Sequence, residues 1–96
     1  MDKMHIPMPH PQVAVTVVDG QAVIVMADSG QVTVLNEVGT RIWELSDGNR
    51  SVEEIIQAIM AEYEVTPEAA EQDAEDFLNR LVEIQAIVLR DPQAPN

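Results

Sequence analysis

The chain has no cysteine, few cations and no long apolar run. Without cysteine there is neither a disulfide framework nor a thiolate metal site, which fits a reducing cytoplasm. Five Lys and Arg stand against seventeen Asp and Glu, for a formal net charge of −12. Only Lys3 and three of the acids fall within residues 1–36. The other fourteen acids follow, against Arg41, Arg50, Arg80 and Arg90. A surface this negative repels phosphate backbones and anionic lipid headgroups, so nucleic acid and membrane are both poor partners, while a basic or neutral peptide or protein is a suitable one. No segment approaches the roughly 20 apolar residues that span a bilayer, and MDKMHIPMPHP has no apolar run long enough for a signal peptide.

Catalytic groups are missing as well. The two histidines, His5 and His10, lie five residues apart in a proline-rich opening, about 15 Å along an extended chain and too far to share a metal without a turn. The carboxylates cluster on polar helix faces rather than in an apolar cleft that would separate their pKa values. Ser29, Ser46 and Ser51 sit beside turns and caps with no histidine nearby, and the four glycines match no phosphate-binding spacing. The only Asp-Ser dipeptide, Asp28-Ser29, precedes a strand rather than opening a helix, so it does not fit an acyl carrier protein. No catalytic residue, metal site or cofactor is expected.

The 96 residues are expected to make one domain with a single modest core. Pro7, Pro9 and Pro11 at alternate positions predict a flexible, extended arm over residues 1–12, and DPQAPN predicts a loose tail over 91–96. In the domain between, 13–90, three β-branched runs (VAVTVV, QAVIVMA, QVTVL) are separated by Asp19-Gly20 and Asp28-Ser29-Gly30, strong hairpin signals. They predict an antiparallel meander whose middle strand, apolar on both faces, is covered on both. From Asn36 the period becomes helical. Asn36 is a candidate N-cap for a helix with Val38, Ile42 and Leu45 on one stripe, ended by Asp47-Gly48. Ser51 with Glu54 forms a capping-box pattern, followed by Val52, Ile55, Ile56, Ile59, Met60 and Tyr63 at helical spacing. Thr66-Pro67 opens a third helix with Ala70, Ala74, Phe77, Leu81, Ile84 and Val88 on one face, ending in a short strand at Ile87-Val88-Leu89. Asp76 with Arg80, and Glu37 with Arg41, stand at ion-pair spacing on their helices. The fold class is therefore α+β, a three-stranded antiparallel sheet followed by three helices.

The third strand, Gln31-Val32-Thr33-Val34-Leu35, has no proline, lysine or acid to guard an edge. The first strand is equally unguarded, but Asn36 ties the third directly into a helix. An extended peptide could pair with such an edge. Ordering five peptide residues costs about 5–10 kcal/mol of backbone entropy, and five hydrogen bonds return only about 1 kcal/mol each. Two or three apolar anchors worth roughly 1.5–3 kcal/mol each are needed besides, which requires a groove as well as an edge.

Gly30, Leu35-Asn36, Gly39, Ile42-Trp43, Leu45, Asp47-Gly48, Val52, Glu54-Ile55, Tyr63, Val65, Asp73, Phe77-Leu78 and Leu81 together resemble the PqqD-like family of peptide-recognition domains in ribosomal peptide natural-product pathways. The resemblance implies a winged-helix-like module that is not an enzyme. It would bind the leader segment of a precursor peptide as an added strand, and deliver it to a modifying enzyme, often a radical-SAM protein. It places the docking edge on Gln31, Val32, Thr33, Val34 and Leu35. The groove falls to Phe77, Leu81 and Ile84, with Arg80 facing an acidic leader residue. Asp28-Ser29-Gly30 stands where many members have Pro-Glu-Gly, and Gln85-Ala86-Ile87 where they tend to have Gly-Trp, so the resemblance is to the wider family. Two other readings stay open on the residues alone: a winged-helix transcriptional regulator, and a structural subunit of an enzyme complex.

Overall fold

A computed structural model describes residues 2–92. Eight elements run in the order β1 (Ile6–Pro9), β2 (Val13–Val18), β3 (Gln21–Met26), β4 (Val32–Val34), α1 (Glu37–Leu45), α2 (Val52–Glu62), α3 (Pro67–Glu83) and β5 (Ile87–Arg90). The predicted meander is present as an antiparallel sheet of order β2-β3-β4. Its first turn is the tight hairpin that Asp-Gly encodes, with φ of 52° at Asp19 and 79° at Gly20. Both values lie in the left-handed region required at the centre of a type I′ turn.

The opening residues differ from expectation. Instead of a loose arm, Ile6–Pro9 form a strand paired antiparallel with β5, with Pro7 fully buried. Alternate prolines permit this because strand backbone groups alternate in direction. Pro7 has no N–H to offer, and its carbonyl faces away from β5 to accept from Gly48 N at 2.9 Å. His10, one of the alternate residues facing β5, donates its N–H to the Ala86 carbonyl at 2.9 Å. The expected tail, 91–96, extends beyond the described residues from position 93 onward.

The same opening segment completes the start of α2. A helix leaves its first four N–H groups without helical partners. Here Ser51 N donates to the Glu54 carboxylate, Val52 N to His5 O, Glu53 N to Lys3 O and Glu54 N to Ser51 Oγ. The two bonds between Ser51 and Glu54 close the predicted capping box. The arm is thus committed to β5 and α2, and where its last residue, Gln12, accepts from Ala27 N it extends the β2-β3 pair and not the edge of β4.

The three helices pack on one face of that sheet. Ala22, Ile24 and Met26 of β3 meet Leu35, Ile42, Leu45, Val52, Ile55, Ile56, Ile59, Ala70, Ala74, Leu78 and Leu81 in one continuous core. Each large side chain there gains roughly 1.5–3 kcal/mol by leaving water. On α3 the buried stripe is Ala70, Ala74, Leu78 and Leu81, so Leu78 takes the place assigned to Phe77, which is half-buried one residue around the helix. Val88 belongs to β5 and is exposed. The middle strand is covered on one face only. Val23 and Val25 lie on the other face, half-exposed, because no helix reaches it.

The helical ion pairs differ too. Arg41 makes a two-pronged contact with Glu62 of α2 (2.8 and 3.0 Å) and a looser one with Glu44, rather than pairing with Glu37. The hydrogen bond from Arg41 holds the Glu62 carboxyl below its ordinary pKa.

Candidate functional site

β4 pairs on one side only. Leu35 N donates to Ala22 O at 2.8 Å, and Gln31 O accepts from Met26 N at 2.9 Å. These bonds fix the alternation: Gln31, Thr33 and Leu35 turn their backbone groups to β3. Val32 and Val34 turn theirs outward, where no strand lies among the described residues. Their side chains are also exposed, at 58% and 61%. Four backbone groups of known direction are therefore vacant on this edge.

Beside the edge runs a trough. A cavity of about 180 Å³ lies between β4 and α3, lined by Thr33, Val34, Leu35, Phe77, Arg80 and Leu81, with Asn36 at its end. A second, of about 390 Å³, continues among the helices and shares Asn36, Phe77 and Arg80 with the first. Phe77 stands between the two. Its ring lies against Gly39, the one position in α1 without a β-carbon to push it away. Asn36 caps α1 by accepting from Gly39 N at 2.7 Å, which brings that glycine to the trough. Neither of these two cavities has a residue of β2 in its lining, so they lie beside the β4 edge and not the β2 edge.

A third group fixes where β4 ends. The Thr40 hydroxyl accepts from Ala22 N at 2.9 Å and contacts Leu35 O at 3.4 Å, replacing the ladder bond that those two backbone groups would otherwise share. Thr40 is 6% exposed. A lone threonine off the apolar stripe gave no sign of this in the sequence.

Of the residues expected at the site, Thr33, Val34, Leu35, Phe77, Arg80 and Leu81 meet around the smaller cavity, and Val32 lies on the same edge. Leu35 and Leu81 are core residues that contribute only a wall, at 3% and 0% exposure. Gln31 is exposed at the start of the edge. Ile84 lines neither of these two cavities and packs on the core instead. Asn36, Val38, Gly39, Ile42, Asp73 and Asp76 line the larger cavity; a helix cap, an apolar stripe and charged helix positions carry no separate sign of it in the sequence.

The electrostatics single out Arg80. Lys3, Arg41 and Arg50 each hold a carboxylate within 3.0 Å. Among the described residues no acid stands within salt-bridge distance of Arg80, and the expected bond from Asp76 is absent, since Asp76 accepts from Gln72 at 2.9 Å. The guanidinium is exposed at the junction of the two cavities. The arrangement can accept an extended chain by backbone pairing, bury its alternate side chains in the trough and meet a carboxylate. Among the described residues no cluster of metal-ligating side chains is present, nor is any helix long and apolar enough to cross a membrane.

A three-stranded meander with three helices on one face and a vacant edge above the last of them defines a small winged-helix-like module. The chain belongs to the PqqD family: residues 21–87 match the family described as coenzyme PQQ synthesis protein D. Comparison with curated proteins finds no match. Among solved structures the chain is similar to TbiB1 in complex with the TbiA(beta) leader peptide, at 29% identity and a TM-score of 0.78, covering 93% of this chain and 99% of that one. A lasso peptide synthetase B1 complexed with the leader peptide is similar in fold, at 24% identity and a TM-score of 0.79, over 86% of this chain and 98% of that one. The heterocyclase TruD shares the fold at 16% identity and a TM-score of 0.64, over 95% of this chain but 12% of its own length.

Proposed function

We propose that this protein is a non-catalytic peptide chaperone of the cytoplasm. It binds the leader segment of a ribosomally made precursor along β4 and presents it to a modifying enzyme. The observation that carries this reading is the vacant edge of Val32 and Val34 beside the Phe77–Arg80 trough. The likeness to TbiB1, solved with a leader peptide, supports it.

In this reading Val32 and Val34 supply the backbone bonds. Guest residues facing the side of Thr33 and Leu35 enter the trough against Phe77 and Leu81, and Arg80 meets a guest carboxylate. Gln31 and Ile84 flank the two ends. The trough supplies the apolar anchors without which backbone pairing roughly breaks even. Nucleic acid is a poor alternative, because the exposed side of α3 carries Glu68, Asp73, Asp76 and Glu83 against Arg80 alone.

Calorimetric titration with the precursor leader tests the reading. Micromolar or tighter binding, with recovery of the leader at unchanged mass, is the expected result. No binding to the leader, together with a gel shift on duplex DNA at low salt, would overturn it.

A further inference from the structure

The smaller sheet, β1 with β5, has one guarded edge and one bare one. Ile6 and Met8 turn their backbone groups to β5, so the outer edge of β1 falls to Pro7 and Pro9, which have no N–H to offer another strand. On β5, Ala86 accepts from His10, and Val88 and Arg90 face β1. Ile87 and Leu89 therefore turn their N–H and C=O groups outward. Among the described residues nothing bonds to those groups. A cavity of about 500 Å³ lies beside this edge, lined by His10, Val82, Gln85, Ile87, Val88 and Leu89. The chain holds seventeen Asp and Glu, yet none of them, and no Lys or Arg, is in that lining.

The edge is its own complement. A second β5, antiparallel and related by a twofold axis at Val88, sets Ile87 opposite Leu89 of the second copy and Leu89 opposite Ile87 of the second copy. All four outward groups of each strand then exchange hydrogen bonds. Val88 meets its own counterpart at the closer, non-hydrogen-bonded position. Met8 stands beside Val88 in the β1-β5 register, so the outer side of the seam becomes one apolar row, Met8 and Val88 from each copy. Val82 and Val88, exposed at 36% and 40% in the single chain, lie at this seam. Pairing also turns two strands of four residues, marginal by themselves, into a four-stranded sheet. A charged guest finds no ionic partner in this lining, unlike the trough where Arg80 stands.

We propose that β5 is a self-association edge, through which two copies of this chain form a weak, salt-promoted dimer with a continuous β1-β5-β5-β1 sheet. β4 belongs to the other sheet, so each copy keeps its peptide edge free and a pair carries two of them. A contact this short is of the size of a transient association rather than a permanent dimer. Two chains of −12 repel one another at long range, and salt screens that repulsion more than it weakens backbone hydrogen bonds, so association tightens as salt rises. The inference goes beyond leader binding and does not depend on it.

The purified chain alone is enough for the test. Sedimentation equilibrium at low and high salt is run up to about 1 mM protein, the range in which contacts of this size register. Amide exchange is read residue by residue at low and high protein concentration. Expected are a monomer–dimer equilibrium that tightens about threefold or more at high salt, and concentration-dependent protection of the Ile87 and Leu89 amides with none at Val32 and Val34. Val88→Lys and Val88→Glu, made at an exposed position so that the fold is kept, set like charges directly opposite each other. Each variant alone should dimerise about tenfold or more weakly than the parent, and the two mixed should associate with one another. A parent protein that stays monomeric at every salt concentration overturns the proposal, as does a dimer that protects β2 or β4 amides in place of Ile87 and Leu89. Charge variants that each dimerise like the parent, or that stay apart when mixed, overturn the seam at Val88.

Discussion

The ring of Phe77 lies directly over Gly39: a β-carbon at position 39 would stand 3.0 Å from Phe77 Cε1 and equally close to Asn36 Oδ1. Glycine inside a helix costs up to about 1 kcal/mol relative to alanine. Here it lets an aromatic side chain of α3 rest on α1 and divide the trough into two cavities. Gly39→Ala is therefore expected to move the ring and strain the cap, weakening leader binding by about tenfold, or 1.4 kcal/mol, while the domain stays folded. Calorimetry and a thermal melt on the same sample check both halves.

Backbone direction separates two neighbouring positions on β4. Val34→Pro removes an outward N–H that has no partner in the free protein, so leader affinity should fall by about tenfold or more with little change in melting temperature. Thr33→Pro removes an N–H directed at β3 and should destabilise the fold itself. Thermal melts alongside binding isotherms distinguish the two. A Val34→Pro protein that binds leader normally contradicts strand addition.

Arg80→Glu reverses the positive charge at the junction of the cavities, where Asp73 and Asp76 already stand. Binding of an acid-bearing leader is expected to weaken roughly threefold to tenfold, since the site is exposed and ion pairs of this kind are worth about 1 kcal/mol or less. The salt dependence seen with the parent protein should shrink or reverse in sign. Titrations at low and high salt measure it.

Thr40→Val keeps the shape of a buried side chain but leaves the Ala22 N–H and the Leu35 carbonyl without the hydroxyl between them. The cost is expected at about 1–3 kcal/mol, lowering the melting temperature by about 4 °C or more. Because the hydroxyl fixes where β4 leaves the sheet, leader affinity should fall as well. Thermal denaturation and the same titration follow these two effects.

Most of the architecture was legible because its signals are local. Asp19-Gly20, Asn36, Ser51 with Glu54, and Thr66-Pro67 each fix a turn or helix start through their own backbone chemistry, and all form as the spacing predicts. The strand in the proline-rich opening has no local signal, because proline reports what a residue cannot donate, not which edge it joins; only β5, far along the chain, reveals that Ile6 and Met8 are the pairing residues. Phe77 and Leu78 were exchanged because a helical stripe is about two residues wide, and the groove side was settled by Gly39 on another helix. The role of Thr40 and the outward direction of Val34 depend on contacts between elements and had no counterpart in spacing. The edge itself was readable from Gln31 to Leu35, since the absence of guards is a property of the sequence.

The most direct test is amide hydrogen exchange, read residue by residue, with and without the precursor leader. Strand addition at β4 predicts that the Val32 and Val34 amides exchange quickly in the free protein and become strongly protected on binding, while the amides of β2 are unchanged. Leader binding that leaves Val32 and Val34 exchanging at their free rates, or protects the outer edge of β2 in their place, would contradict it.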